Sequence, residues 1–222
     1  GDEAKTMLGR TPGNIQAVRP LRDGVIADFV VTEEMIKHFI KKVHKGKAFA
    51  NPRILICVPT GSTPVERKAI QDSALAAGAR KVNLIEEPIA AAIGAGLPIS
   101  EATGSMVVDI GGGTTEIAVI ALSGIVCDKS VKVAGDVFTG DIIYYMRTQH
   151  NLFIGERTAE KIKITIGSAS DELESPPEDL SVQGRDLLTG KPKEALISFR
   201  EIAKALDKSI IRIEDAINLL NR

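Results

Sequence analysis

Three features of the chain predict a layered α/β fold. Strand-like and helix-like segments alternate through the first hundred residues, the pattern of layered α/β domains. Two β-branched runs, 106–108 and 117–120, are joined by Asp109-Ile110-Gly111-Gly112-Gly113-Thr114-Thr115-Glu116, the composition of a hairpin whose turn is bare backbone. The stretch 199–220 is apolar at Ile202, Leu206, Ile210, Ile213, Ile217 and Leu220, the spacing of an amphipathic helix.

The other elements follow in order. Thr11-Pro12-Gly13-Asn14 reads as a loop, and short extended segments flank Arg22-Asp23-Gly24. Residues 25–31 read as a strand leading into a helix over about 32–45. Thr32 is its expected N-cap, Glu33 and Glu34 sit in its first turn, and Lys41, Lys42 and Lys45 come before Gly46. His38 and His44 lie off its apolar stripe and read as solvated. Arg53-Ile54-Leu55-Ile56-Cys57-Val58 is short and continuously apolar, as expected of a strand buried on both faces. Thr63-Pro64-Val65-Glu66 is a capping box with Pro at the first helical position, opening a helix that ends near Gly78. Residues 81–85 read as a strand. Glu86-Glu87-Pro88 then heads a small-residue helix over 89–96, whose Ala and Gly allow close packing. After a connection at about 97–105 the hairpin opens a second unit, with a third antiparallel strand over 125–133 behind the turn Ser123-Gly124. Helices are expected at 137–149 and 156–167, an acidic loop from Ser170 to Asp179, and a hairpin around Leu187-Leu188-Thr189-Gly190-Lys191.

A chain of 222 residues can bury a real core in one large or two smaller domains. Its net charge of −1 offers nucleic acid no electrostatic footprint, so no nucleic-acid partner is expected. Cys57 and Cys127, each in an apolar run, read as buried free thiols of a reducing compartment. No apolar run approaches the roughly 20 residues that span a bilayer, and no secretory leader opens the chain. The cytoplasm is therefore the expected location. The polar start Gly1-Asp2-Glu3-Ala4-Lys5 and a helical pattern still running at Asn221-Arg222 read as a piece of something longer.

The glycine hairpin carries the chemistry. Successive glycines let consecutive N–H groups converge on an anion, Thr hydroxyls add donors, and Asp109 at the strand end suits a hydrated divalent cation. Taken alone, the same residues also make a tight turn with no ligand. Other phosphate loops are excluded. The pairs Gly46-Lys47 and Gly190-Lys191 are followed by Ala48 and Pro192, not the Ser or Thr of a P-loop. In a dinucleotide fingerprint Glu116 would have to be glycine.

The hairpin, preceded by Glu86-Glu87-Pro88-Ile89-Ala90-Ala91-Ala92-Ile93-Gly94, resembles the second phosphate loop and first connecting helix of the actin superfamily of ATPases. Leu21-Arg22-Asp23-Gly24-Val25-Ile26-Ala27-Asp28, the run from Val58 to Arg67, and Thr158-Ala159-Glu160-Lys161-Ile162-Lys163 are similar, in residues and order, to its branch of bacterial actins that set cell shape. The resemblance covers nearly the whole chain. It implies an actin-like, ribonuclease H-like fold in an incomplete two-domain chain. Residues 1–103 would be part of domain I without its first phosphate loop. Residues 104–222 would be part of domain II without its adenine loop, with 137–205 a smaller subdomain.

ATP and magnesium are the implied cofactors. Gly111, Gly112, Gly113, Thr114 and Thr115 would cradle the phosphates with Glu116 beside them, and Asp109 would orient magnesium through its water shell. Glu87 would orient or deprotonate the water that attacks the γ-phosphate. On residues alone, Glu86 and Glu87 are also an ordinary acidic first turn. Glu160 and Lys163 match the helix that touches ribose and base in the superfamily; without it their spacing is that of a solvated helix face. Two departures stand out: the usual Gly-Gly-Asp is Ala134-Gly135-Asp136, and the acid commonly found three residues later is Thr139. Contact of the Gly135 backbone with phosphate is still expected.

The implied function is ATP hydrolysis coupled to filament formation that organises cell-wall synthesis. The partners would be the protein itself and cell-wall morphogenesis and membrane proteins, with peripheral contact at the inner face of the cell membrane. The ATPase domain of a chaperone or sugar kinase is the alternative, and a relative that no longer hydrolyses is a third reading, against which Glu87 speaks. The 222 residues alone are expected to be inactive and to bind ATP poorly; near-micromolar affinity by calorimetry would contradict that.

Overall fold

The computed structural model describes residues 13–22, 25–44 and 51–220, together with Ala4 and Met7. The polar start at Gly1-Asp2-Glu3 and Lys5, Thr11-Pro12, the turn at Asp23-Gly24, the helix end at Lys45-Gly46 and the final Asn221-Arg222 lie outside the described residues. Contacts divide the chain into two units, Gly1–Gly94 and Ala95–Arg222.

In the first unit, β1 (Leu21–Arg22) and β2 (Val25–Ile26) form a short antiparallel pair. Helix α1 (Phe29–Val43) begins earlier than expected, and its cap is Asp28, whose carboxylate accepts from the Val31 N–H at 3.0 Å. Thr32 is not the N-cap: it is buried inside the helix and donates its hydroxyl to the Asp28 carbonyl at 2.6 Å. Val30 and Val31 looked like strand because they are β-branched. An Asp that satisfies an orphan N–H is worth about 1 kcal/mol, more than that weak preference.

Strands β3 (Arg53–Val58) and β4 (Lys81–Glu86) pair in parallel, joined by α2 (Pro64–Ala76). The capping box forms as expected: the Glu66 N–H donates to Thr63 Oγ1 and the Thr63 N–H to Glu66 Oε2. Beyond α2, Gly78 takes φ +105°, a conformation open to glycine. The expectation that β3 is buried on both faces fails. Alternate residues are exposed, and Leu55 keeps 63% of its surface. The described sheet has two strands, and β3 borders an apolar cavity of about 730 Å³ lined by Ile36, Phe39, Ile40, Ile54 and Ile56 among others. Cys57 is accordingly exposed and Cys127 half-buried; both are free, and neither is the buried thiol expected. Helix α3 (Glu87–Gly94) follows β4 directly.

The second unit opens with the antiparallel meander β5 (Ser105–Ile110), β6 (Thr115–Ala121) and β7 (Gly124–Val131). Its second turn is made by Leu122 and Ser123, both left-handed, one place ahead of the expected Ser123-Gly124. Then come α4 (Gly135–Gln149), β8 (Leu152–Phe153), α5 (Glu156–Ile166), β9 (Leu180–Asp186), β10 (Pro192–Ile197) and α6 (Phe199–Leu220). The two-residue β8 carries no periodic signal. It lies against β9 at Gly184, where a Cβ would sit 2.5 Å from the Phe153 carbonyl oxygen. One core gathers Ile142, Met146, Leu152, Ile162, Val182 and Ile202, while α6 packs on β6, β7 and α4. No described helix is long and apolar enough to cross a membrane.

The start of α6 is tied to the end of α4. Glu201 accepts from the Ser198 N–H and hydroxyl and meets His150 Nε2 at 2.9 Å. Burial pushes the Glu201 carboxyl up, but these hydrogen bonds outweigh it and hold the group below its usual 4.5. A depressed carboxylate stabilises the fold above its unfolded value and stops doing so as pH falls through its folded one. The stability gap between the native protein and Glu201→Gln is therefore expected to be present at pH 7 and to shrink as pH falls below 4.5, as read by urea melts across that range.

Candidate phosphate-binding site

The hairpin turn between β5 and β6 is closed by one bond, from the Gly111 N–H to the Thr114 carbonyl at 3.0 Å. Its outer carbonyls are then held by the start of α4. The Gly135 N–H donates to Gly111 O at 3.1 Å and the Asp136 N–H to Gly112 O at 2.8 Å. The N–H groups of Gly112, Gly113 and Thr114 have no backbone acceptor among the described residues, and Gly111 and Gly112 are exposed. Neighbouring N–H groups on an immobilised turn form an anion-binding nest.

Two expectations about this loop change. Thr115 does not offer its hydroxyl to a ligand: it is fully buried and donates to the Val133 carbonyl at 2.6 Å. Successive strand residues face opposite ways, so of Thr114 and Thr115 only the half-buried Thr114 stays on the turn. Gly135 does not offer its N–H either, since Gly111 O takes it. Its contribution is close approach: a Cβ would lie 3.3 Å from both Gly111 O and Lys163 Nζ.

Glu116 is 1% exposed, with the Ser130 hydroxyl donating to its Oε1 at 2.6 Å. The register sets it directly opposite the half-buried Asp109. Like charges on one rung repel, which a hydrated cation offsets. No group of three or more His, Cys, Asp or Glu side chains among the described residues could hold a metal by itself. The donor set fits a magnesium ion held mainly by phosphate and water, with one carboxylate beside it.

Glu160 and Lys163, on α5, meet Thr139 of α4. Lys163 Nζ lies 2.6 Å from Glu160 Oε2, 2.9 Å from Gly135 O and 3.1 Å from Thr139 Oγ1, and Thr139 Oγ1 is 2.9 Å from Glu160 Oε2. The 95–222 unit thus gathers the hairpin, Gly135, Glu160 and Lys163 in one place. Thr139, visible in the sequence only as a departure, stands at the centre of the network; no local spacing announces a contact made 21 residues away.

Glu87 belongs to the other unit, where β4 gives way to α3, half-buried and among the residues lining the apolar cavity. The aliphatic cavity itself is unsuited to a polyanion. The structure separates the two acids: Glu86 pairs with Arg67 at 3.1 Å, and Arg67 also donates to Ser62 O, so Glu86 is a structural partner.

The overall fold has counterparts among solved structures. The chain of the MamK double helical filament matches 99% of this chain with TM-score 0.77 at 23% identity, over 65% of its own length, which places the fold in the actin-like class. At 56% identity over 220 residues, the cell shape-determining protein MreB of Escherichia coli K12 matches 98% of this chain and 62% of its own length. MreB5 of Spiroplasma citri, in its crystal structure bound to ADP, matches the whole chain with TM-score 0.92 at 40% identity, over 66% of its own length. The MreB/Mbl protein family model matches residues 1–221, and the chain belongs to that family. It spans about 62% of the length of the curated E. coli relative.

Proposed function

We propose that this chain carries part of the ATP site of an actin-like protein that polymerises and sets rod cell shape by organising cell-wall synthesis. The observation that carries the reading is the hairpin held by two bonds from α4, with three adjacent N–H groups that have no backbone acceptor among the described residues. The relatives add weight, since one is named a cell shape-determining protein and another was solved with ADP.

In this reading Gly111, Gly112, Gly113 and Thr114 hold the β- and γ-phosphates through backbone N–H groups and the Thr114 hydroxyl. Thr115 and Glu116 shape the loop from beneath. Asp109 orients the water shell of magnesium, whose charge offsets that of the phosphates. Glu160 and Lys163 line the ribose side. Glu87 takes a proton from, or aligns, the attacking water. Partners are further copies of the protein, cell-wall morphogenesis proteins and membrane proteins, with peripheral contact at the cytoplasmic face of the membrane.

The test is sedimentation of the full-length protein with ATP while phosphate release is recorded, repeated with Glu87→Ala. Filaments with slow phosphate release that Glu87→Ala suppresses are the expected result. Hydrolysis without sedimentation at any concentration would instead favour a chaperone or kinase module, and filaments without hydrolysis a relative that only binds nucleotide.

A further inference from the structure

We propose that α4 relays occupancy of the phosphate turn to the tip of the β9–β10 hairpin, through the backbone groups at its two ends and Lys193. The inference concerns regulation of the nucleotide site proposed above and rests on that reading. A helix leaves N–H groups unpaired at its start and carbonyls unpaired at its end. In α4 each set is taken up by a different hairpin. The first two N–H groups, of Gly135 and Asp136, hold Gly111 O and Gly112 O at 3.1 and 2.8 Å. At the other end the His150 carbonyl accepts from Lys193 Nζ at 2.7 Å, and the Asn151 carbonyl from the Leu187 N–H at 2.8 Å. The helix is 15 residues long, about 22 Å, and is seated in the core by Ile142 and Met146, neither of which has exposed surface.

The input end works through the peptide units of the turn. Gly111 O and the Gly112 N–H belong to one peptide, Gly112 O and the Gly113 N–H to the next. These are the two carbonyls that α4 holds and two of the N–H groups with no backbone acceptor among the described residues. A phosphate that accepts from Gly112 and Gly113 polarises both peptides and makes their carbonyl oxygens better acceptors. Each bond to α4 then strengthens by roughly 10–30%. At the output end Lys193 Nζ lies 3.5 Å from Asp186 Oδ2, and Asp186 Oδ1 accepts from the Leu188 and Thr189 N–H groups at 2.8 and 2.9 Å. Leu188 is 80% exposed, so a change in this turn is displayed on the surface. One hydrogen-bonded chain thus runs from the phosphate turn through α4, Lys193 and Asp186 to the hairpin tip.

The relay is tested in the full-length protein with magnesium and AMPPNP, an ATP analogue that is not hydrolysed, at a concentration where sedimentation shows no polymer. Calorimetry reads binding, and amide exchange reads the two ends of the chain of bonds. Binding is expected to slow exchange at Gly135, Asp136, Leu188 and Thr189 about fivefold, the lower range of coupling between sites, with Val182 in the middle of β9 unchanged. Lys193→Met should keep the slowing at Gly135 and Asp136 and lose it at Leu188 and Thr189; Lys193→Arg should restore it. Binding without a change at Leu188 and Thr189 overturns the relay and leaves the nucleotide site standing. So does equal slowing at Val182, which is general stabilisation by a bound ligand, and so does a response at the tip that survives Lys193→Met. Absence of binding removes the nucleotide site and the relay together.

Discussion

Glu87→Gln in the full-length protein is expected to lower the rate of ATP hydrolysis about 10²–10⁴-fold, the usual contribution of a positioned general base. The amide keeps the size of the carboxylate, so Pro88 and the start of α3 are undisturbed, but it cannot accept a proton from water. Because that interaction belongs to the transition state, ATP affinity should stay within about threefold of native while kcat falls. Glu86→Gln is the paired control. Glu86 is engaged by Arg67 at 3.1 Å with both side chains about a third exposed, so its loss should cost at most about 1 kcal/mol of stability and leave hydrolysis intact. Single-turnover phosphate release reads both variants. Native turnover in Glu87→Gln would remove the catalytic assignment.

Ile162→Ala is expected to destabilise the 95–222 unit by about 2–5 kcal/mol, the transfer and cavity terms of a buried aliphatic side chain. Ile162 has no exposed surface and shares its core with Ile142, Met146, Leu152 and Val182. It also sets the roll of α5. With Ala159, Ile162 and Ile166 facing inward, Glu160 and Lys163 fall on the flank that meets α4. The measurement is urea unfolding of that unit, where the midpoint should fall at unchanged slope. A loss below about 1 kcal/mol would mean that the core closes over the missing methylenes.

Much of this molecule is legible in the residues because the signals are local. The capping box at Thr63 and Glu66 formed as the spacing requires, and the glycine turn, the hairpin at 187–191 and the last helix all lie where pattern placed them. Failures came where two local signals competed or where exposure mattered. At the start of α1, β-branched Val30 and Val31 suggest strand and Thr32 a cap, whereas the Asp28 carboxylate caps a helix that already contains all three. At β3 a continuous apolar run implied burial on both faces, but burial depends on which strands and helices cover it, and Leu55 and Cys57 remain exposed. The unannounced β8 is too short for any period to register.

The candidate site divides in the same way. Residue types and order alone determined the family, the glycine hairpin with Asp109, the acid pair at 86 and 87, and the interest of Glu160 and Lys163. Tertiary structure decided what each side chain does. It sent the Thr115 hydroxyl to Val133, 18 residues on, gave the Gly135 N–H to Gly111, paired Glu86 with Arg67, and saturated Lys163 on partners as far as 28 residues away. Spacing along a strand or helix says which residues share a face. Which partner a donor finds across two packed elements depends on their separation and roll, set by the whole core, and no local window contains that.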